Sequence, residues 1–153
     1  YQEIDQIFPK SKYILTVRDS EKWFKSLCNF HLIYFRKMGL NFKNITEVKK
    51  EHIKKFNWVK EGYYYNYTKK FWISEFKDNQ VIYDWNLLYN KDHYISVYEK
   101  RNKEIQTYFQ RKKEDLLIFN VNENKDILKI LNFLNMSKDL NFDLPYELKS
   151  NYE

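Results

Sequence analysis

Hydrophobic residues are not spread evenly along this chain. They gather in two short dense runs and several longer stretches of helical spacing. Tyr1 to Phe8 is polar and helix-compatible, and Pro9 closes it. Lys12 to Val17 (KYILTV) is a short apolar, β-branched and aromatic run, as expected of a strand buried on both faces. Arg18 ends that run. Asp19 supplies an N-cap, and Trp23, Leu27, Phe30 and Tyr34 recur every three to four residues, predicting a helix from Asp19 to about Met38 that stops near Gly39.

From 40 to 88 the periodicity is weak and the segment reads as a variable helical and aromatic insert or lid. Asn44 to Trp58 is expected to be helical, with Val48, His52, Ile53 and Phe56 loosely on one face. Gly62 to Trp72 (GYYYNYTKKFW) fits neither period. Asp92 then caps a predicted helix to about Gln110, with Ile95, Tyr98, Asn102, Ile105 and Phe109 along one face. After a charged turn, Leu116 to Val121 (LLIFNV) is a second buried-strand candidate, and Asn124 caps a last helix carrying Ile127, Ile130, Leu131 and Leu134. Strands alternating with helices, with no Pro/Gly/Ser linker between them, predict a single α/β domain with a parallel sheet covered by helices on both faces.

Composition narrows this little. The 153 residues suit one domain, and 43% hydrophobic against 31% charged residues excludes a disordered chain. The net charge of +6 accompanies an absence of alanine, two glycines and an abundance of Lys, Asn, Ile, Tyr and Phe, a usage that A+T-rich coding produces without any anionic partner. An anionic ligand would therefore need a localised site rather than the overall charge. A single cysteine, Cys28, excludes an internal disulfide and fits a reducing, cytoplasmic setting; beside Leu27 and Phe30 it reads as a buried, inert thiol. Sequons at Asn44, Asn66 and Asn135 are expected by chance in an Asn-rich chain. The first residue is Tyr1, so the expectation is a fragment truncated at its N-terminus.

The best placed anion-binding group is Arg18, at the carboxyl end of a predicted strand and directly before a predicted helix, where open α/β sheets bind ligands. Its planar fork matches phosphate oxygens, and the amides of a helix start add partial positive charge. Ser26 stands seven residues after Asp19, two turns and about 10 Å further on, at nearly the same angular position.

That spacing carries a resemblance. YILTVRDSEKWFKS resembles the 3′-phosphate-binding strand and helix of sulfotransferases that use 3′-phosphoadenosine 5′-phosphosulfate (PAPS), and the likeness continues through HYISVYEKRNKEI and EDLLIFNVNENKDILKILNFLN. It implies a three-layer, P-loop-type α/β fold, PAPS as the donor, and Arg18 and Ser26 as holders of its 3′-phosphate. It also implies transfer of a sulfuryl group, without a metal, to a hydroxyl or amine of a small-molecule or glycan acceptor. The sequence departs from the family in three places. The Gly-rich 5′-phosphosulfate loop is missing, Ser20 stands where the closest branch has Pro, and Asn124-Lys125 where it has Gly-Trp. The chain thus looks like the C-terminal two-thirds of such an enzyme, and in isolation it is expected to be inactive.

The family's base commonly precedes the Arg-bearing strand, so no residue here is assigned that role; among His31, His52 and His93, only His93, at a helix start, is a candidate for touching substrates. Tyr64 and Trp72, with Tyr63, Tyr65, Tyr67 and Phe71, could line an acceptor pocket or pack as core or lid. With Lys69 and Lys70 the same stretch could form a single-strand nucleic-acid platform if aromatic and basic residues shared one exposed face. A third reading is a non-catalytic interaction module. The reading adopted is the sulfotransferase, with no nucleic-acid partner and no membrane segment.

Overall fold

The computed structural model describes residues 1–55, 60–121 and 127–136. The chain packs as two compact units, Tyr1–Asp19 with Glu99–Glu153, and Ser20–Tyr98.

In the first unit, α1 (Gln2–Ile7) leads through the turn at Pro9 into β1 (Tyr13–Val17), which pairs in parallel with β4 (Leu116–Asn120). The register sets Tyr13 opposite Leu116 and Val17 opposite Asn120. The last ten residues of α5 (Lys91–Tyr108) and α6 (Ile127–Phe133) belong to the same unit. Its core gathers Leu15, Ile105 and Phe109, with Tyr13, Val17, Tyr108 and Leu116 packed around them. Tyr13 and Phe109 bring their ring centroids to 4.8 Å.

The two strands were expected to be covered on both faces, and that needs correction. Paired residues of a parallel ladder share a face, so Leu15 lies with Ile118 and Phe119 with Thr16. Leu15 and Phe119 are buried, but Ile118 is 44% exposed, Ile14 39% exposed, and Thr16 also faces outward. Among the described residues each face is covered over only part of its width. The parallel sheet there has two strands, so the chain is a mixed α/β structure with a small parallel sheet.

The second unit holds α2 (Ser20–Lys37), α3 (Lys50–Lys55), α4 (Tyr63–Phe71), the antiparallel hairpin of β2 (Ser74–Lys77) and β3 (Gln80–Tyr83), and the start of α5. Helix α2 ends as Gly39 predicts. The Gly39 amide donates to the Arg36 carbonyl and the Leu40 amide to the Phe35 carbonyl, with Gly39 at φ +79°.

The buried line of α2 runs through Cys28, His31 and Phe35, one position beyond the expected stripe; Trp23, Leu27 and Tyr34 flank it and Phe30 is exposed. The expected helix from Asn44 is shorter. A 3-10 turn at Ile45–Glu47 is followed by α3, in which Ile53 is fully buried. Phe56 and Trp58 lie outside the described residues, as does Asn124. The unassigned aromatic stretch is helix α4, whose Tyr64 and Thr68, four residues apart, face the core. The cap of α5 is Asn90, whose side chain accepts from the His93 amide at 3.0 Å, which leaves Asp92 within the first turn.

Candidate functional site

The β1–β4 ladder fixes where β1 stops. Beyond the Val17–Asn120 pair, the Val121 amide donates to the Val17 carbonyl at 3.0 Å. Arg18 follows at once, half-buried, and α2 begins two residues later at Ser20. Asp19 occupies the position before the first helical residue, and Glu21 stands in the first turn, where a negative charge complements the helix dipole. Ser26 is half-buried in the second turn of α2. Arg18 belongs to the first unit, whose first segment ends at Asp19, and Ser26 belongs to the second unit.

The start of α2 is held within its own unit. Glu21 forms an ion pair with Lys91, raising the lysine's affinity for its proton, mainly through their hydrogen bond. Trp23 stacks on Tyr98 at 4.3 Å with an interplanar angle of 12° and contacts Trp72 at 5.5 Å. Trp72 in turn stacks on Tyr94 at 4.8 Å. Trp72 is thus wedged in an aromatic stack.

His93 and Trp72 are brought together. Nε2 of His93 lies 2.9 Å from the Trp72 carbonyl oxygen, which can only accept, so this nitrogen carries a proton. Proton exchange by a neutral His93 would therefore use Nδ1.

Tyr64 lies in the core at 3% exposure. Its hydroxyl is 3.1 Å from Nδ1 of His31 and 3.3 Å from the hydroxyl of Tyr89, which is 3.0 Å from the same nitrogen. Burial lowers the His31 pKa to about 4 and pushes the nearby Cys28 thiol up to about 12. This polar nest is something the sequence reading missed. Its one sequence signal is that His31 continues the line of Cys28 and Phe35 at helical spacing.

The other rings of α4 are divided around the helix. Tyr63, Tyr67 and Phe71 form an outward line with Lys70 over the Phe71 ring, while Tyr65 stacks on Trp85 and has Lys69 at 5.8 Å. The aromatic residues and lysines of this stretch are therefore divided between two faces, Tyr63, Tyr67, Phe71 and Lys70 on one and Tyr65 and Lys69 on the other. His52 accepts from the Lys49 amide at 2.9 Å and packs against Phe42.

A second cluster missed in the sequence lies in the first unit. Asp5, 3% exposed, accepts from the Tyr108 hydroxyl at 2.7 Å and pairs with Lys112. The hydrogen bonds from Lys112 and then Tyr108 hold its carboxyl below the usual carboxylate range. Among the described residues no group of three or more His, Cys, Asp or Glu is placed to hold a metal ion.

The model of the sulfotransferase domain family matches residues 1–146, which takes in β1, Arg18, α2 and every other described element. The chain belongs to that family. No curated protein matches this sulfotransferase domain, and no solved structure does. Membership makes it a transferase-type domain, and the family implies small-molecule acceptors. No helix among the described residues is long and apolar enough to cross a membrane.

Proposed function

We propose that this sulfotransferase domain takes PAPS as its donor and that Arg18 and Ser26 hold the nucleotide's 3′-phosphate. The observation that supports this most is the place of Arg18, directly after a parallel strand and two residues before an 18-residue helix. A guanidinium offers paired N–H donors to two phosphate oxygens, and a serine hydroxyl adds one neutral donor. That donor set suits a phosphate dianion. When bound, PAPS supplies the activated sulfuryl group that a hydroxyl or amine of the acceptor receives. The residues of this chain bind and orient the nucleotide end. The three-layer, P-loop-type arrangement belongs to this proposal as well.

Calorimetry on this chain tests it with adenosine 3′,5′-bisphosphate and adenosine 5′-phosphate, which differ only in the 3′-phosphate. The bisphosphate should bind more tightly. Arg18→Ala should cost on the order of 2 kcal/mol of that binding and Ser26→Ala about 1 kcal/mol. Arg18→Lys should recover only part of the loss, because an ammonium lacks the fork. Equal weakening of both ligands by Arg18→Ala would make Arg18 a structural residue and remove the basis of the assignment.

A further inference from the structure

A cleft of about 460 Å³ opens in the first unit between the final turns of α5 and the first half of β4. Its size is that of a small-molecule site. Leu116, Ile118 and Phe109 give it an apolar floor, and the 44% exposure of Ile118 marks where that floor is open. Lys103 reaches it from α5 and Lys113 from the turn before β4. Among the described residues no carboxylate lines it. Asp115 and Asp5 of this unit are engaged by other lysines: Asp115 pairs with Lys12, and Asp5 pairs with Lys112 rather than with Lys113. The amides of Gln106 on α5 and Gln110 in the 3-10 turn Phe109–Arg111 that follows it complete the polar rim. A neighbouring cleft of about 570 Å³ shares Lys103 and adds Lys100 but also includes Glu104, so its positive charge is partly answered, whereas the described lining of the first cleft has two lysines and no carboxylate.

This place is separate from Arg18. Leu116 pairs with Tyr13 at the start of the ladder, and Arg18 follows its other end. The nearer lining residue, Ile118, pairs with Leu15, three residues before Arg18, so at about 3.3 Å each roughly 10 Å of strand lies between the two along β1.

We infer that the α5–β4 cleft binds an organic anion, a flat apolar ring system carrying one carboxylate or sulfonate-type group. The ring system covers Ile118 and Leu116, and the anionic group meets Lys103 and Lys113. Lysines act as mobile point charges, so the charge of the group is selected more strongly than its shape. The inference does not depend on the nucleotide reading, since it uses neither Arg18 nor Ser26.

The test is calorimetry of this chain with 2-naphthalenesulfonate, 2-naphthoate and neutral 2-naphthol, at low and at high salt. At least one anion should bind saturably with a Kd near or below about 1 mM, and the naphthol roughly tenfold more weakly. The double variant Lys103→Gln/Lys113→Gln alters two side chains at the rim, and an unchanged melting temperature verifies its fold. It should lose about tenfold for the anions and nothing for the naphthol. High salt should weaken the anions alone, and Arg18→Ala should leave all three unchanged. Which of the two anions binds more tightly separates carboxylate from sulfonate chemistry. Absence of saturable anion binding, equal affinity for the naphthol, or indifference to the double substitution would overturn the inference.

Discussion

Acidification should weaken the second unit through one residue. His31 is buried among the hydroxyls of Tyr64 and Tyr89, and burial lowers its pKa from 6.5 to about 4. A group with a depressed native pKa that is neutral when deprotonated has no effect on stability above its unfolded value. Between pH 6.5 and 4 the unfolded chain gains a proton that the folded chain refuses, and stability falls. At about 1.4 kcal/mol per pH unit across that interval, the loss approaches 3 kcal/mol at pH 4. Other titrating groups contribute too, so the measurement is a difference. Urea unfolding is followed at several pH values by tryptophan fluorescence, because the described tryptophans, Trp23, Trp72 and Trp85, all lie in this unit. His31→Gln keeps an acceptor for the tyrosines and removes the titration. Its stability should fall less than that of the wild type between pH 6.5 and 4, by about 3 kcal/mol. Should the variant fail to fold, the imidazole resonances of the wild type serve instead, and His31 should remain neutral down to about pH 4. Parallel stability profiles, or a His31 that titrates near 6.5, would refute the reasoning.

Two further outcomes follow from the same contacts. Asp5→Asn removes the carboxylate that receives Lys112 and Tyr108, so thermal stability should drop at neutral pH. The wild type's stabilisation from this group is present above pH 3.8 and is lost as pH falls through the lowered native value, a loss the variant should not show in acid denaturation. The β2–β3 turn carries Asp78 and Asn79 at φ +50° and +61°. Asn79→Ala places a less tolerant residue in that region and should cost about 1 kcal/mol, read as about fivefold faster amide exchange along the ladder between Ser74–Lys77 and Gln80–Tyr83.

The legible parts of the fold were those set by neighbours in sequence. The run KYILTV, the helix after Asp19 and its stop at Gly39 each depend on contacts within a few residues, and each lies where the pattern put it. Errors arose where chemistry and hydropathy disagree. Cys28 and His31 do not count strongly as apolar, so the predicted stripe on α2 was centred one position early. The hairpin does carry a local signal. Asp78-Asn79 between SEFK and QVIY is a pair that tolerates positive φ, as two-residue hairpin turns require. The polar nests were of another kind. His31 meets partners 33 and 58 residues away, and Asp5 partners 103 and 107 residues away, separations that no local pattern encodes.

Arg18 combines both kinds of information. Its motif is local, yet its placement depends on a strand about a hundred residues later. In the observed register Leu15 joins Ile105 and Phe109 in the core while Ile14 is partly exposed. A slip of one residue would exchange those faces, taking Leu15 out of contact with the α5 side and bringing in Ile14. The burial of Leu15, worth on the order of 2 kcal/mol, therefore opposes any register but this one. The same choice fixes which residue is the first past the ladder, and that residue is Arg18. The position of the candidate phosphate ligand is in this sense decided by an apolar side chain three residues before it.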